Sequence, residues 1–135
     1  MSLRLLCACL LLALAPFGPA AASAEGDGGG SSAYLPLQPA FVVNVNDGEE
    51  VHHMQVDIQV KLAGPEAAGL IEEHMPAIRH SLVLLLSGQE VKTVRTVQGK
   101  EKLRQEALEA VQKVLEENAG TKGIEALYFT GLIIQ

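Results

Sequence analysis

Between Met54 and Leu62 the chain alternates without a break: Met54, Val56, Ile58, Val60 and Leu62 are apolar, and Gln55, Asp57, Gln59 and Lys61 are polar. On a helix these apolar residues would scatter around the circumference. On a strand, where successive side chains point to opposite faces, they form one continuous apolar face opposite a polar one. The segment is therefore a strand with one side buried and the other in water. A sheet of that kind is antiparallel, and the rest of the chain has to supply a layer that covers its apolar side.

The neighbouring segments supply it. Phe41-Val42-Val43-Asn44-Val45 is rich in β-branched residues and reads as a second strand. Asn46-Asp47-Gly48-Glu49 lies between the two strands and tolerates positive φ, which gives an antiparallel hairpin. Tyr34-Leu35-Pro36-Leu37 opens the folded part in an extended conformation. Gly64-Pro65 closes the hairpin, and Glu66–His74 reads as a helix. Ile71, Met75, Ile78, Leu82 and Leu85 continue a helical stripe through Pro76. A proline there ends one helix and starts the next, so a kink or two helices are expected. The run Leu82–Leu86 is expected to be buried on most sides and to stop at Ser87-Gly88.

Glu90–Val97 is ambiguous in pattern, a short extended piece being one reading. Gly99–Glu117 is an amphipathic helix with Leu103, Ala107, Val111, Val114 and Leu115 on one face. Glu109 and Lys113 are placed for an i,i+4 ion pair, and Asn118 and Gly120 form its stop signal. Ile124–Ile134 is a last strand, apolar on both faces: Leu127, Phe129 and Ile133 on one, Ala126, Tyr128, Leu132 and Ile134 on the other. A strand of that kind is central in a covered sheet or part of an interface, so Tyr128, Leu132, Ile133 and Ile134 are the candidate interface residues. The expected fold class is α+β, an antiparallel sheet in the order β-β-α-α-α-β with helices packed on it.

The N-terminus has a different character. Arg4 gives a short positive region, Leu5–Ala15 is apolar, Pro16 and Pro19 break a helix, and small residues precede Glu25. This is the layout of a signal peptide over residues 1–24, cleaved after Ala24 with Ala22 at the −3 position and Glu25 as the new N-terminus. If uncleaved, the same segment is just long enough to be a membrane anchor. Glu25–Ser32, EGDGGGSS, is a flexible linker that runs to residue 33, and residues 34–135 form one domain. Both cysteines, Cys7 and Cys9, precede the cleavage point, which removes disulfides and thiol chemistry from the product.

The search for catalytic or ligand chemistry returns little. The net charge of −6 argues against general affinity for nucleic acid. With no Trp and 4% aromatic residues, the chain has no stacking platform for bases or sugars. His52 and His53 are adjacent on a strand and point to opposite faces. His74 and His80 do not share a helical face, so a zinc site with three or four convergent ligands is not expected. His80 and Ser81 cannot face each other on a helix and make no nucleophile–base pair. Glu49-Glu50 and Glu72-Glu73 read as solvated acids, and Gly28-Gly29-Gly30 lies in a tether rather than after a strand, so it is no phosphate loop. No catalytic, cofactor-binding or metal-binding residues are assigned.

Four blocks carry a resemblance: HHMQVDIQVKL (His52–Leu62), HMPAIRHSLVLLLSGQ (His74–Gln89), GKEKLRQEAL (Gly99–Leu108) and LYFTGLIIQ (Leu127–Gln135). In this order and spacing they resemble the FliL family of flagellar basal-body-associated proteins, over nearly all of residues 34–135. The resemblance implies a non-enzymatic periplasmic domain related in fold to the stomatin/prohibitin-like group. It also implies a place beside the motor stator, support of swimming and swarming, and assembly of a homo-oligomer into a ring. The expected partners are stator and basal-body proteins and further copies of the chain, with direct contact to the inner membrane only if the N-terminal segment is uncleaved. Such proteins usually carry a basic cytoplasmic stub and an uncleaved membrane helix, whereas here the stub is Arg4 alone and the apolar stretch has a cleavage pattern. A soluble periplasmic module holding a small apolar ligand against Leu82–Leu86 is the alternative reading.

Overall fold

The computed structural model describes residues 33–135. The cleavage residues Ala22, Ala24 and Glu25, and residues 25–32 of the linker, lie outside the described residues.

The strand that the alternation defines is the centre of the sheet. It is β3 (Glu50–Leu62), and Met54, Val56, Ile58, Val60 and Leu62 are all buried on one side of it. Along one edge of β3 run two antiparallel strands end to end, β1 (Tyr34–Pro36) opposite Gln59–Lys61 and β2 (Phe41–Asp47) opposite Glu50–Val56. The β2–β3 hairpin turns at Gly48, where φ is +70°, a value that favours glycine. Along the other edge β4 (Ile124–Ile134) pairs antiparallel with Met54–Leu62. The order across the sheet is thus β1/β2, β3, β4, with β3 the only strand paired on both sides among the described residues.

Between β3 and β4 the chain forms the helical layer. Helix α1 (Ala67–Glu73) ends at His74, and α2 (Met75–Ser87) starts with Pro76 in its first turn, where the missing N–H costs nothing. The stripe through the proline is therefore carried by two helices. Its buried members are Ile71, Ile78 and Leu82, while Met75 and Leu85 are half-buried. Arg79 of α2 lies 4.1 Å over the Phe41 ring and donates to the Pro39 carbonyl at 2.8 Å, which ties α2 to the β1–β2 connection.

The long helix α4 (Val97–Ala119) buries Leu103, Ala107, Val111 and Leu115 against the sheet and α2, with Val114 half-buried. Thr96 caps its first turn, accepting from the Gly99 N–H at 2.9 Å. Gly120 ends it in the left-handed conformation, φ +69°.

Four expectations are corrected. Leu82–Leu86 is not buried on most sides: Leu82 and Leu86 are fully buried, but Leu84 is 62% exposed and Val83 also reaches solvent. One helix packed on one sheet face has an outer side, whatever residues stand there. Glu90–Val97 is not an extended piece. Only Glu90 bridges to Asn46, and Val91–Val94 forms a one-turn helix, α3, whose Val91 and Val94 are buried. Its three-residue apolar spacing is a helical turn too short to be told from a strand by pattern alone. The order is therefore β-β-β-α-α-α-α-β, since β1 and α3 are added. Lys113 does not pair with Glu109; it lies 4.0 Å from Glu117, the carboxylate one turn onward.

The fourth correction concerns β4. Its pairing shifts by one residue twice, between Asp57/Ile58 and between Lys61/Leu62. An extra residue at Thr130 reverses the alternation. Leu127, Phe129, Leu132 and Ile134 therefore lie opposite Val60, Ile58, Val56 and Met54, on the helix side. Ala126, Tyr128 and Ile133 lie opposite Lys61, Gln59 and Gln55, on the far side. A single period of two mixes these sets.

Candidate functional site

Among the described residues all four helices lie on the face of the sheet that carries Val43, Met54, Val56 and Ile58, and the opposite face is bare. A bare face should be polar, and along β3 it is: Gln55, Asp57, Gln59 and Lys61 occupy it, with His53 Nδ1 donating to Asn44 Oδ1 at 2.7 Å. The flanking strands break that rule. Val42 on β2 and Ile133 on β4 sit on either side of Gln55 and are 66% and 50% exposed. Val51, Tyr34 and Tyr128 are exposed on the same face, and the Tyr34 and Tyr128 rings stand 6.3 Å apart across β3. These apolar side chains stand on a face where polar residues would serve equally well in a monomer, which makes it the candidate contact surface.

Of the four residues proposed as interface from the sequence, Tyr128 and Ile133 belong to this bare face. Leu132 and Ile134 are half-buried on the helix side, beside α3 and α4. The phase shift at Thr130 puts Ile133, rather than Leu132 or Ile134, on the same face as Tyr128. Val42, Val51 and Tyr34 were missed. Val42 and Val51 carried a readable signal, because each is apolar at a position out of phase with its own strand's buried set.

Two charged clusters frame the patch and the free edge of β4. Lys61 Nζ lies 3.0 Å from Glu125 Oε2, and the carboxylate raises the lysine above its ordinary range by hydrogen bonding and by charge. At the edge, Arg104 donates from Nε to Glu101 Oε2 at 2.8 Å and from a terminal nitrogen to the Leu127 carbonyl at 3.1 Å. The hydrogen bond from Arg104 holds the Glu101 carboxyl below its ordinary range.

The remaining polar groups do not assemble. His52 points to the helix side and His53 to the bare side, as adjacent strand residues must. His52 Nε2 is enclosed without a hydrogen bond, 3.7 Å from Glu50 Oε2. His74 sits at the α1–α2 junction and His80 is exposed on α2. Glu49, Glu50, Glu72 and Glu73 are all exposed. Among the described residues no three His, Cys, Asp or Glu side chains converge on a point, and no helix is long and apolar enough to cross a membrane. Leu82 and Leu86 are packed into the core while Val83 and Leu84 face outward, so that run divides between core and surface.

The described residues thus form a one-sided α+β sheet whose bare face displays valine, isoleucine and tyrosine. Comparison with known proteins gives the family. Residues 34–135 match the sequence model of the flagellar basal body-associated protein FliL, and the chain belongs to that family. It is 28% identical over 99 residues to the flagellar protein FliL of Aquifex aeolicus (strain VF5), an alignment covering 73% of this chain. The aligned region is 59% of that relative, so the chain spans about three-fifths of its length.

Proposed function

We propose that this protein is a non-enzymatic part of the flagellar basal body that supports the motor stator in swimming and swarming, working as a ring-forming homo-oligomer in the periplasm. Membership of the FliL family supports the flagellar role. The observation that carries the assembly is the bare sheet face, where Val42 and Ile133 flank Gln55 with half or more of each side chain in water. Removing these two from water in an interface gains roughly 25 cal/mol per Å² of apolar area and asks no rearrangement of the core. The fold relation to the stomatin/prohibitin-like group belongs to the same reading. So does export by the N-terminal segment, with cleavage after Ala24 or retention as an anchor. Mass spectrometry of the mature protein is expected to find Glu25 at the N-terminus; intact Met1 or Ser2 in the membrane fraction would mean an anchor.

Deletion of the gene is expected to impair swarming on firm agar more than swimming in soft agar, because load on the motor is higher there. Wild-type motility on both would overturn the motor role. Ile133→Ser is expected to leave the thermal melt near wild type and to reduce self-association and swarming together. Leu132→Ser, on the helix side opposite Val56, is expected to lower stability by about 1–2 kcal/mol. Light scattering and thermal melts of the two variants check the assignment of faces. An Ile133→Ser protein that self-associates like wild type would move the interface elsewhere.

A further inference from the structure

The outer edge of β4 is the second surface that stands open. His53 and Gln135 exchange reciprocal backbone hydrogen bonds at 2.8 Å. Antiparallel alternation then turns the backbone N–H and C=O of Leu132 and Ile134 away from β3. At the start of the strand α4 occupies this edge: Gln112 donates to the Ile124 carbonyl at 3.0 Å and Arg104 to the Leu127 carbonyl at 3.1 Å. Past Leu127, among the described residues, no strand and no side-chain donor from α4 takes the edge. There the helix and strand diverge into a groove of about 460 Å³ whose walls include Val97, Lys100, Phe129 and Leu132. A smaller hollow of about 220 Å³ at Arg95 and Ile134 continues it. Val97 is 79% exposed, on the first turn of α4.

The groove is basic on an acidic protein. Arg95, Lys100 and Arg104 line it against the single carboxylate Glu101, and Glu101 is engaged by Arg104. An unpaired strand edge beside an apolar step and two cations, Arg95 and Lys100, that make no ion pair among the described residues suits an extended chain with alternating apolar and acidic side chains.

We propose that this groove binds an extended acidic segment of another protein, which adds to β4 as a further strand past Leu127. Its backbone pairs with Leu132 and Ile134, one side chain rests on Val97 and Leu132, and a carboxylate reaches Lys100 and Arg95. A second copy of β4 is the poorer occupant, because a two-fold pairing would bring Arg95, Lys100 and Arg104 of both copies toward one axis. The chain's own Glu25–Ser32 is acidic but has no apolar side chain to place on Val97. The proposal does not depend on the role at the motor.

The test is fluorescence anisotropy of a short labelled peptide alternating glutamate with valine, titrated with the full chain. Binding is expected despite the net charge of −6, which disfavours association with an acidic peptide in general. Lys100→Glu, an exposed change whose folding is checked by thermal melt, is expected to weaken binding about tenfold or more. A peptide of the same length alternating lysine with valine is expected to bind at least about tenfold more weakly, and one N-methylated along its backbone is expected not to bind. No binding of the glutamate peptide, equal binding by Lys100→Glu, or binding that survives N-methylation would each overturn the proposal. So would a chain dimer, seen by sedimentation velocity, that the peptide fails to dissociate and that Lys100→Glu strengthens.

Discussion

Val56→Asp is expected to unfold the domain, while Gln55→Asp, one residue away, leaves its melt within about 0.5 kcal/mol of wild type. Val56 is fully buried, with Phe41 opposite it on β2 and Leu132 opposite it on β4. The core around it is made of aliphatic and aromatic side chains and holds no buried polar residue among the described ones. A carboxylate placed there has neither a cation nor a donor, and it costs several kcal/mol whether it stays charged or takes up a proton. A domain of this size has about 5–15 kcal/mol in total, so one such group removes a large part of it. Gln55 is exposed on the bare face between Val42 and Ile133, where a carboxylate keeps its water. Denaturant melts of the two variants check this. Equal midpoints would mean that the register of β3 is wrong by one residue.

Gly99→Ala is expected to destabilise the protein by about 1–3 kcal/mol or more, although alanine is the better helix former by about 1 kcal/mol. Gly99 lies in the first turn of α4 and is buried against α3. A Cβ there would stand 1.9 Å from the Thr93 carbonyl oxygen and 2.9 Å from Thr96 Oγ1. The first is backbone held by the turn of α3, and the second is the cap that accepts the Gly99 N–H, so neither can move without breaking the α3–α4 junction. The control is Gly69→Ala. Gly69 is exposed within α1, and a Cβ there meets nothing within 4 Å. That change is expected to stabilise by about 0.5–1 kcal/mol through chain entropy. Thermal melts of the two variants should therefore move in opposite directions, and a stabilising Gly99→Ala would mean that α3 does not pack as described.

The patterns that could be read from the sequence are those whose period is longer than any local irregularity. Nine unbroken residues of alternation fixed which face of β3 is buried, because one slipped residue would have put Met54, Val56, Ile58 and Val60 in water. The four-residue spacing from Leu103 through Ala107 and Val111 to Leu115 did the same for α4, and Pro76 marked the division between α1 and α2 because its ring and missing N–H act locally. The four blocks that resemble the FliL family lie on these elements and on β4.

What the tertiary structure decided is where local pattern is short or interrupted. Val91–Val94 is four residues, too few to separate a helical turn from a strand, and its burial under α4 made it a helix. The apolar run Leu82–Leu86 carries no information about which side of α2 meets the sheet; the position of β2 and α4 around that helix put Leu82 inside and Leu84 in water. In β4 the extra residue at Thr130 has no signature beyond the following Gly131, yet it moves Leu132 and Ile134 to the helix side and leaves Ile133 with Tyr128 on the bare face. Hydrophobicity along a strand specifies burial only if the strand is regular. A bulge is set by pairing with the neighbouring strand, and so the choice between core and exposed face for the last residues of this chain rests on contacts with β3 that are distant in sequence.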